Sequence, residues 1–163
     1  MAPFGEGYFH HVTGLVHSYS GMPASGGAVT DELVRRLESK INRAQEDITL
    51  YTEHFLEDAE IVIVAYGGSA RAAMAALKEA RAKGHKVGML KLITLWPFPA
   101  ELVMRATKNA KTIVVPELNT GQLVSEIERY CGRERVVSVT RVDGELFKPA
   151  EILASVLSQG GKS

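Results

Sequence analysis

The run Ile61-Val62-Ile63-Val64-Ala65-Tyr66 has no polar position alternating with its apolar ones, which predicts a strand buried on both faces. The pattern then becomes helical. An alanine-rich stretch runs through Lys83 with Ser69 as its expected N-cap, and Gly84 ends it. Apolar positions resume from about Lys86 to Ile93 as a second strand, completing a βαβ unit. Pro99 opens a short helix through about Asn109, Thr112 to Val115 reads as a strand and Gly121 to Tyr130 as a helix. Val136 to Thr140 adds another strand, Asp143-Gly144 a turn, and Pro149 to Leu157 a closing helix. Upstream, Asp31 is the expected cap of an amphipathic helix to about Gln45. There Leu33, Leu37 and Ile41 recur every four residues while Arg35, Arg36, Glu38 and Lys40 take the other faces. A polar connection links it to the first strand. Residues 1–30, rich in glycine, serine, proline and aromatics without either period, read as an irregular arm.

Strands alternating with helices in this way predict an α/β, three-layer, Rossmann-like domain over residues 31–160, its sheet mostly parallel and its helices on both faces. At 163 residues the chain is long enough for one such core. The 19 basic and 19 acidic side chains are interspersed, so no basic stripe points to nucleic acid or to a membrane surface. Cys131 is the only cysteine, which excludes an intramolecular disulfide and a cysteine-ligated iron–sulfur cluster within the chain, and suits a reducing, cytoplasmic compartment. Met1 to Gly7 carries no basic start followed by an apolar run, and the longest apolar stretch falls far short of the ~20 residues of a membrane span.

In open α/β sheets ligands and partners meet the loops that leave the carboxyl ends of the strands. Three segments are expected on that rim. Gly67, Gly68 and Ser69 open a helix, where backbone amides and the added charge of Arg71 are suited to a phosphate or carboxylate. A glycine turn before a capped helix explains the same residues without any ligand, and neither G-x-G-x-x-G nor a P-loop lysine is present. Trp96, Pro97, Phe98 and Pro99 make a stiff loop with two large rings, suited either to an interface or to folding back on the core. Glu117, Asn119 and Gln122 combine a carboxylate and two amides before a helix, which serves a neighbouring chain, a ligand or simple capping. His10, His11 and His17 cluster in the arm without a ligand motif, so no metal is expected, and no nucleophile–base pair is evident, so no catalytic residue is assigned.

The segments Thr13-Gly14-Leu15-Val16-His17, Ala65-Tyr66-Gly67, Thr94-Leu95-Trp96-Pro97-Phe98-Pro99 and Val115-Pro116-Glu117-Leu118-Asn119-Thr120-Gly121-Gln122 resemble the C-terminal part of the α subunit of 2-oxoacid:ferredoxin oxidoreductases, especially the 2-oxoglutarate type. The resemblance covers about Phe4 to Leu157 and implies a fold like the transketolase C-terminal domain. It also implies a parent complex that converts a 2-oxoacid and coenzyme A to acyl-coenzyme A, carbon dioxide and reduced ferredoxin, using thiamine diphosphate, magnesium and iron–sulfur clusters. The family's thiamine-binding N-terminal domain of the α subunit has no counterpart here, and the G-D-G and Asn-Asn motif of its β subunit is absent. The resemblance therefore implies a chain that binds no cofactor itself, is inactive alone, and is either a domain fragment or a split subunit. Its expected partners are that thiamine domain, the β subunit and, through the complex, ferredoxin. Thr13, Gly14, His17 and the Trp96 and Glu117 segments are the expected docking residues.

Overall fold

The computed structural model describes residues 3–9 and 14–160. They fall into two compact units, Met1–Glu46 and Asp47–Ser163.

The first unit contains a tight turn and one long helix. Ser18 donates its amide to Met22 O, Gly21 to Ser18 O and Ala24 to Val16 O, so part of the arm is more regular than its composition suggests. Helix α1 spans Gly27–Arg43 and follows Gly26. Asp31, the expected cap, lies inside this helix, where its carboxylate receives Arg35 Nε at 2.8 and 2.9 Å one turn later. Lys40 and Arg43 in the last turn complement the helix dipole. No residue of α1 is buried.

The single turn α2 (Gln45–Ile48) runs across the boundary in sequence, and in the second unit five strands form one sheet: β1 (Tyr51–His54), β2 (Ile61–Tyr66), β3 (Val87–Leu92), β4 (Thr112–Glu117) and β5 (Val136–Thr140). Their order is β1-β3-β2-β4-β5. The β3, β2, β4 and β5 neighbours pair in parallel, as expected from the alternation of strands and helices. Strand β1 is the exception. It lies in the stretch read as a polar connection and pairs antiparallel with β3, Tyr51 opposite Leu92 and His54 opposite Met89. An edge strand with one face in water and little apolar content has no buried run to betray it.

Helices α3 (Gly67–Ala82), α4 (Ala100–Ala106), α5 (Gln122–Cys131) and α6 (Pro149–Gly160) cover both faces. Alternate residues of β2 divide between two cores: Ile61, Ile63 and Ala65 pack with α3 and α6, whereas Val62 and Val64 pack with α4 and α5. The buried alanines of α3, among them Ala73, Ala76 and Ala80, have no side chain long enough to hold the helix off the sheet. Gly88 serves a similar closeness at β3, because a Cβ there would lie 2.7 Å from Phe55 O and 2.9 Å from Ala59 Cβ.

The connection between β1 and β2 crosses that glycine and is pinned by Arg81. Its guanidinium reaches Asp58 at 2.6 and 2.9 Å, Phe55 O at 2.9 Å and Val87 O at 2.6 Å, and lies over the Phe55 ring. Hydrogen bonding to Arg81 holds the Asp58 carboxyl below its ordinary range. Phe55 keeps a left-handed backbone, φ 52°, costly for a side chain with a Cβ and held here by these contacts.

Candidate functional site

Because β2, β3, β4 and β5 run parallel, the chain leaves all four at the same edge. That rim carries the segments after Tyr66, Leu92, Glu117 and Thr140, and Tyr51 joins it as the antiparallel partner of Leu92.

Glu117, the last residue of β4, is fully buried. Its carboxylate accepts the amides of Leu123 (2.7 Å to Oε2) and Val124 (2.9 Å to Oε1) in the first turn of α5, and Asn119 Nδ2 at 3.1 Å. Asn119 Oδ1 in turn accepts the amides of Gly121 (2.7 Å) and Gln122 (3.0 Å), while its Nδ2 donates to Tyr66 Oη at 2.8 Å. Gly121 holds the left-handed conformation (φ 100°) that the entry to α5 requires. Two side chains thus satisfy four orphan amides at the start of α5, and an anion at the positive end of the helix dipole is stabilised there. Glu117 faces its own helix and not the surface. Burial chiefly, and then the negative charge of Glu117, raises the Tyr66 phenol above its ordinary value of 10.0. Gln122 is exposed and contributes its backbone amide to the cap.

The two rings of the Trp96 loop take opposite courses. Phe98 is half-buried and stacks on Tyr130, ring centres 5.5 Å apart, against the core beneath α4 and α5. Trp96 stands 81% exposed, followed by a cis peptide to Pro97, and Pro99 is buried at the start of α4. The loop's base is fixed from the opposite side: Ile93 and Thr94 donate their amides to Leu50 O, and Thr94 Oγ1 to Ile48 O.

The glycine turn after β2 differs from its expected form. Helix α3 begins at Gly67 with Tyr66 as N-cap, and Ser69 lies buried within the first turn instead of capping it. Arg71 is exposed. A Cβ at Gly68 would meet Leu146 Cδ2 at 3.3 Å and Leu118 Cδ1 at 3.8 Å, so apolar side chains lie over the turn.

Leu146 belongs to a rim segment for which the sequence predicts only the Asp143-Gly144 turn. Arg141 organises it, binding Glu151 at 2.6 Å, Leu146 O at 2.9 Å and the Phe147 ring, with Asp143 at 3.3 Å. Val142 and Leu146 are thereby left 71% and 66% exposed. The available signal was the placing of two large apolar residues around Asp143-Gly144, where a turn otherwise favours polar ones. Ile93 and Leu118 add further exposed apolar surface.

In the arm, Gly14 is exposed and His17 half-buried, its Nδ1 3.0 Å from Ser18 O. Thr13, His10 and His11 lie outside the described residues. Among the described residues no three His, Cys, Asp or Glu side chains are grouped to hold a metal, and no helix is long and apolar enough to cross a membrane. Cys131 is buried beside Thr107.

Comparison with known proteins agrees with the fold. Residues 59–152, from just before β2 into α6, match the pyruvate:ferredoxin oxidoreductase core domain II. The chain is 42% identical over 158 residues to the 2-oxoglutarate synthase subunit KorA of Methanocaldococcus jannaschii, covering 96% of this chain and 42% of that protein. It is 39% identical over 127 residues to the ketoisovalerate oxidoreductase subunit VorB of Methanothermobacter marburgensis, covering 78% and 36%. Thus it spans less than half the length of these curated relatives. Among solved structures, the 2-oxoglutarate:ferredoxin oxidoreductase of Magnetococcus marinus, with 2-oxoglutarate, coenzyme A and succinyl-CoA bound, superposes with a TM-score of 0.84 at 25% identity, over 98% of this chain and 28% of that one. A split-gene transketolase shares the fold, with a TM-score of 0.55 over 67% of this chain and 40% of that one at 24% identity. The chain belongs to the pyruvate:ferredoxin oxidoreductase core domain II family, within the 2-oxoacid:ferredoxin oxidoreductases that its four sequence motifs resemble.

Proposed function

We propose that this chain is a non-catalytic docking domain of a 2-oxoacid:ferredoxin oxidoreductase α subunit, which uses its strand-end rim to seat the thiamine-binding domain of that subunit against the β subunit. One observation carries the reading: Trp96, Val142 and Leu146 stand exposed on loops whose bases are fixed by buried or paired polar groups. Rigid apolar side chains on a fixed frame lose little entropy on binding, which is what an anchoring surface needs. The parent reaction joins a 2-oxoacid, 2-oxoglutarate being favoured by the KorA relatives, with coenzyme A, releases carbon dioxide and passes two electrons to ferredoxin. Thiamine diphosphate with magnesium and the iron–sulfur clusters that carry those electrons belong to the partner domains. The setting is cytoplasmic.

Gly67, Gly68, Ser69 and Arg71 offer an alternative phosphate site. The apolar cover of Gly68 and the burial of Ser69 favour a protein partner at that turn instead.

The reading is tested by the affinity of this chain for the thiamine domain and β subunit. Trp96→Ala and Leu146→Asp each remove an anchor that is exposed in the free domain, so folding is preserved and binding weakens by about tenfold or more, the size of a single hot-spot loss. Undiminished binding by both folded variants removes the rim from the docking role.

A further inference from the structure

Helix α1 carries a second apolar surface that the rim does not account for. Val34, Leu37 and Ile41, spaced three and four apart, are 55%, 49% and 42% exposed and form one stripe. At about 100° per residue, Glu38 and the Asp31–Arg35 ion pair fall on one side of the stripe and Lys40 on the other, with Arg36 and Arg43 toward the back of the helix. The arm residues His17, Ser18 and Tyr19 line a shallow concavity with Val29, Glu32, Leu33 and Arg36, so the arm lies toward the back of the helix and away from Val34 and Glu38.

We infer that this stripe is a second docking surface of the same complex, occupied by the polypeptide that the α-type relatives carry beyond this domain; the inference rests on the docking role proposed above. A second copy of α1 fits poorly. In an antiparallel pair like flanks face each other, setting the Lys40 flank against its own copy and the Glu38 flank against its own. A parallel pair would match unlike flanks, but 17 residues make fewer than the three to four heptads over which a coiled coil is sustained. The relatives supply a different occupant. The match that covers 96% of this chain takes in α1, yet it accounts for only 42% of the relative, so in that relative the segment matching α1 stands on the same polypeptide as a further, larger part. A tethered partner meets the stripe at high effective concentration, where a small interface suffices. Its contacting surface is apolar along the middle, basic opposite Glu38 and acidic opposite Lys40.

The test places the photo-crosslinker p-benzoylphenylalanine at Leu37 and, separately, at Trp96 in the complex purified from cells that express this chain. The inference expects Leu37 to crosslink to the thiamine-binding part of the α subunit, and Leu37→Asp to reduce co-purification about tenfold without lowering the melting temperature. A crosslink from Leu37 to a second α1, to the β subunit, to this chain's own sheet unit, or to nothing while Trp96 does crosslink, overturns the α1 surface and leaves the rim reading standing. Failure at both positions overturns both.

Discussion

Replacing Glu117 by Gln preserves the size of the side chain and removes its charge. The carboxylate offers an acceptor oxygen to each of two amides, Val124 at 2.9 Å and Leu123 at 2.7 Å. An amide side chain keeps one oxygen, so its NH2 group confronts either Val124 N–H, or Leu123 N–H together with Asn119 Nδ2, donor against donor. Hydrogen bonds to a charged group contribute about 1.5–3 kcal/mol each, and a buried donor left without a partner costs ~1–3 kcal/mol. Loss of an anion at a partly buried helix N-terminus adds up to ~2 kcal/mol. These effects overlap, and a net destabilisation of about 2–4 kcal/mol is expected. Urea denaturation followed by far-ultraviolet circular dichroism is the suitable assay, since Trp96 is too exposed for its fluorescence to report on the core. Glu117→Ala, which empties the site, should cost at least as much. A loss below about 0.5 kcal/mol for Glu117→Gln, the scale of an ordinary surface change, would refute the view that this carboxylate holds the entry to α5.

Three further expectations concern the frame. Gly88→Ala drives a Cβ into Phe55 O and Ala59, which are backbone and a packed methyl, and should cost about 1–3 kcal/mol by the same denaturation assay. Phe98→Ala should cost about 2 kcal/mol, less than the ~3–5 kcal/mol of a fully buried ring, whereas Trp96→Ala should fall within ~0.5 kcal/mol of the parent; equal costs would contradict their opposite orientations. Tyr66 binds its proton more tightly folded than unfolded, so its contribution is complete below about pH 10 and is lost as the pH rises through its raised folded value. Ultraviolet titration of tyrosinate should show one phenol ionising late, and Tyr66→Phe should abolish that step.

The parallel core was legible because burial on both faces leaves unbroken apolar runs such as Ile61 to Ala65, and glycine marks the helix end at Gly84. Strand β1 was not, since Tyr51-Thr52-Glu53-His54 is held by β3 and by the Arg105–Glu53 pair at 2.8 Å, both remote in sequence. Helix starts were misplaced at Asp31 and Ser69, where a residue of good capping type lies inside a helix that an earlier glycine already begins. Composition could not separate Trp96 from Phe98, because the difference is the presence of Tyr130 for one ring to stack upon. Nor could it decide where Glu117 points. That depends on the amides of α5 standing beyond the end of β4, a consequence of the packing of the two elements.

The proposed role of this chain as a docking part of a larger enzyme is open to size-exclusion chromatography of the chain mixed with the thiamine-binding domain and the β subunit. Co-elution as one complex is expected, with coenzyme A-dependent reduction of an electron-accepting dye by the mixture and none by the chain alone. A well-folded chain that elutes independently of both partners would contradict it.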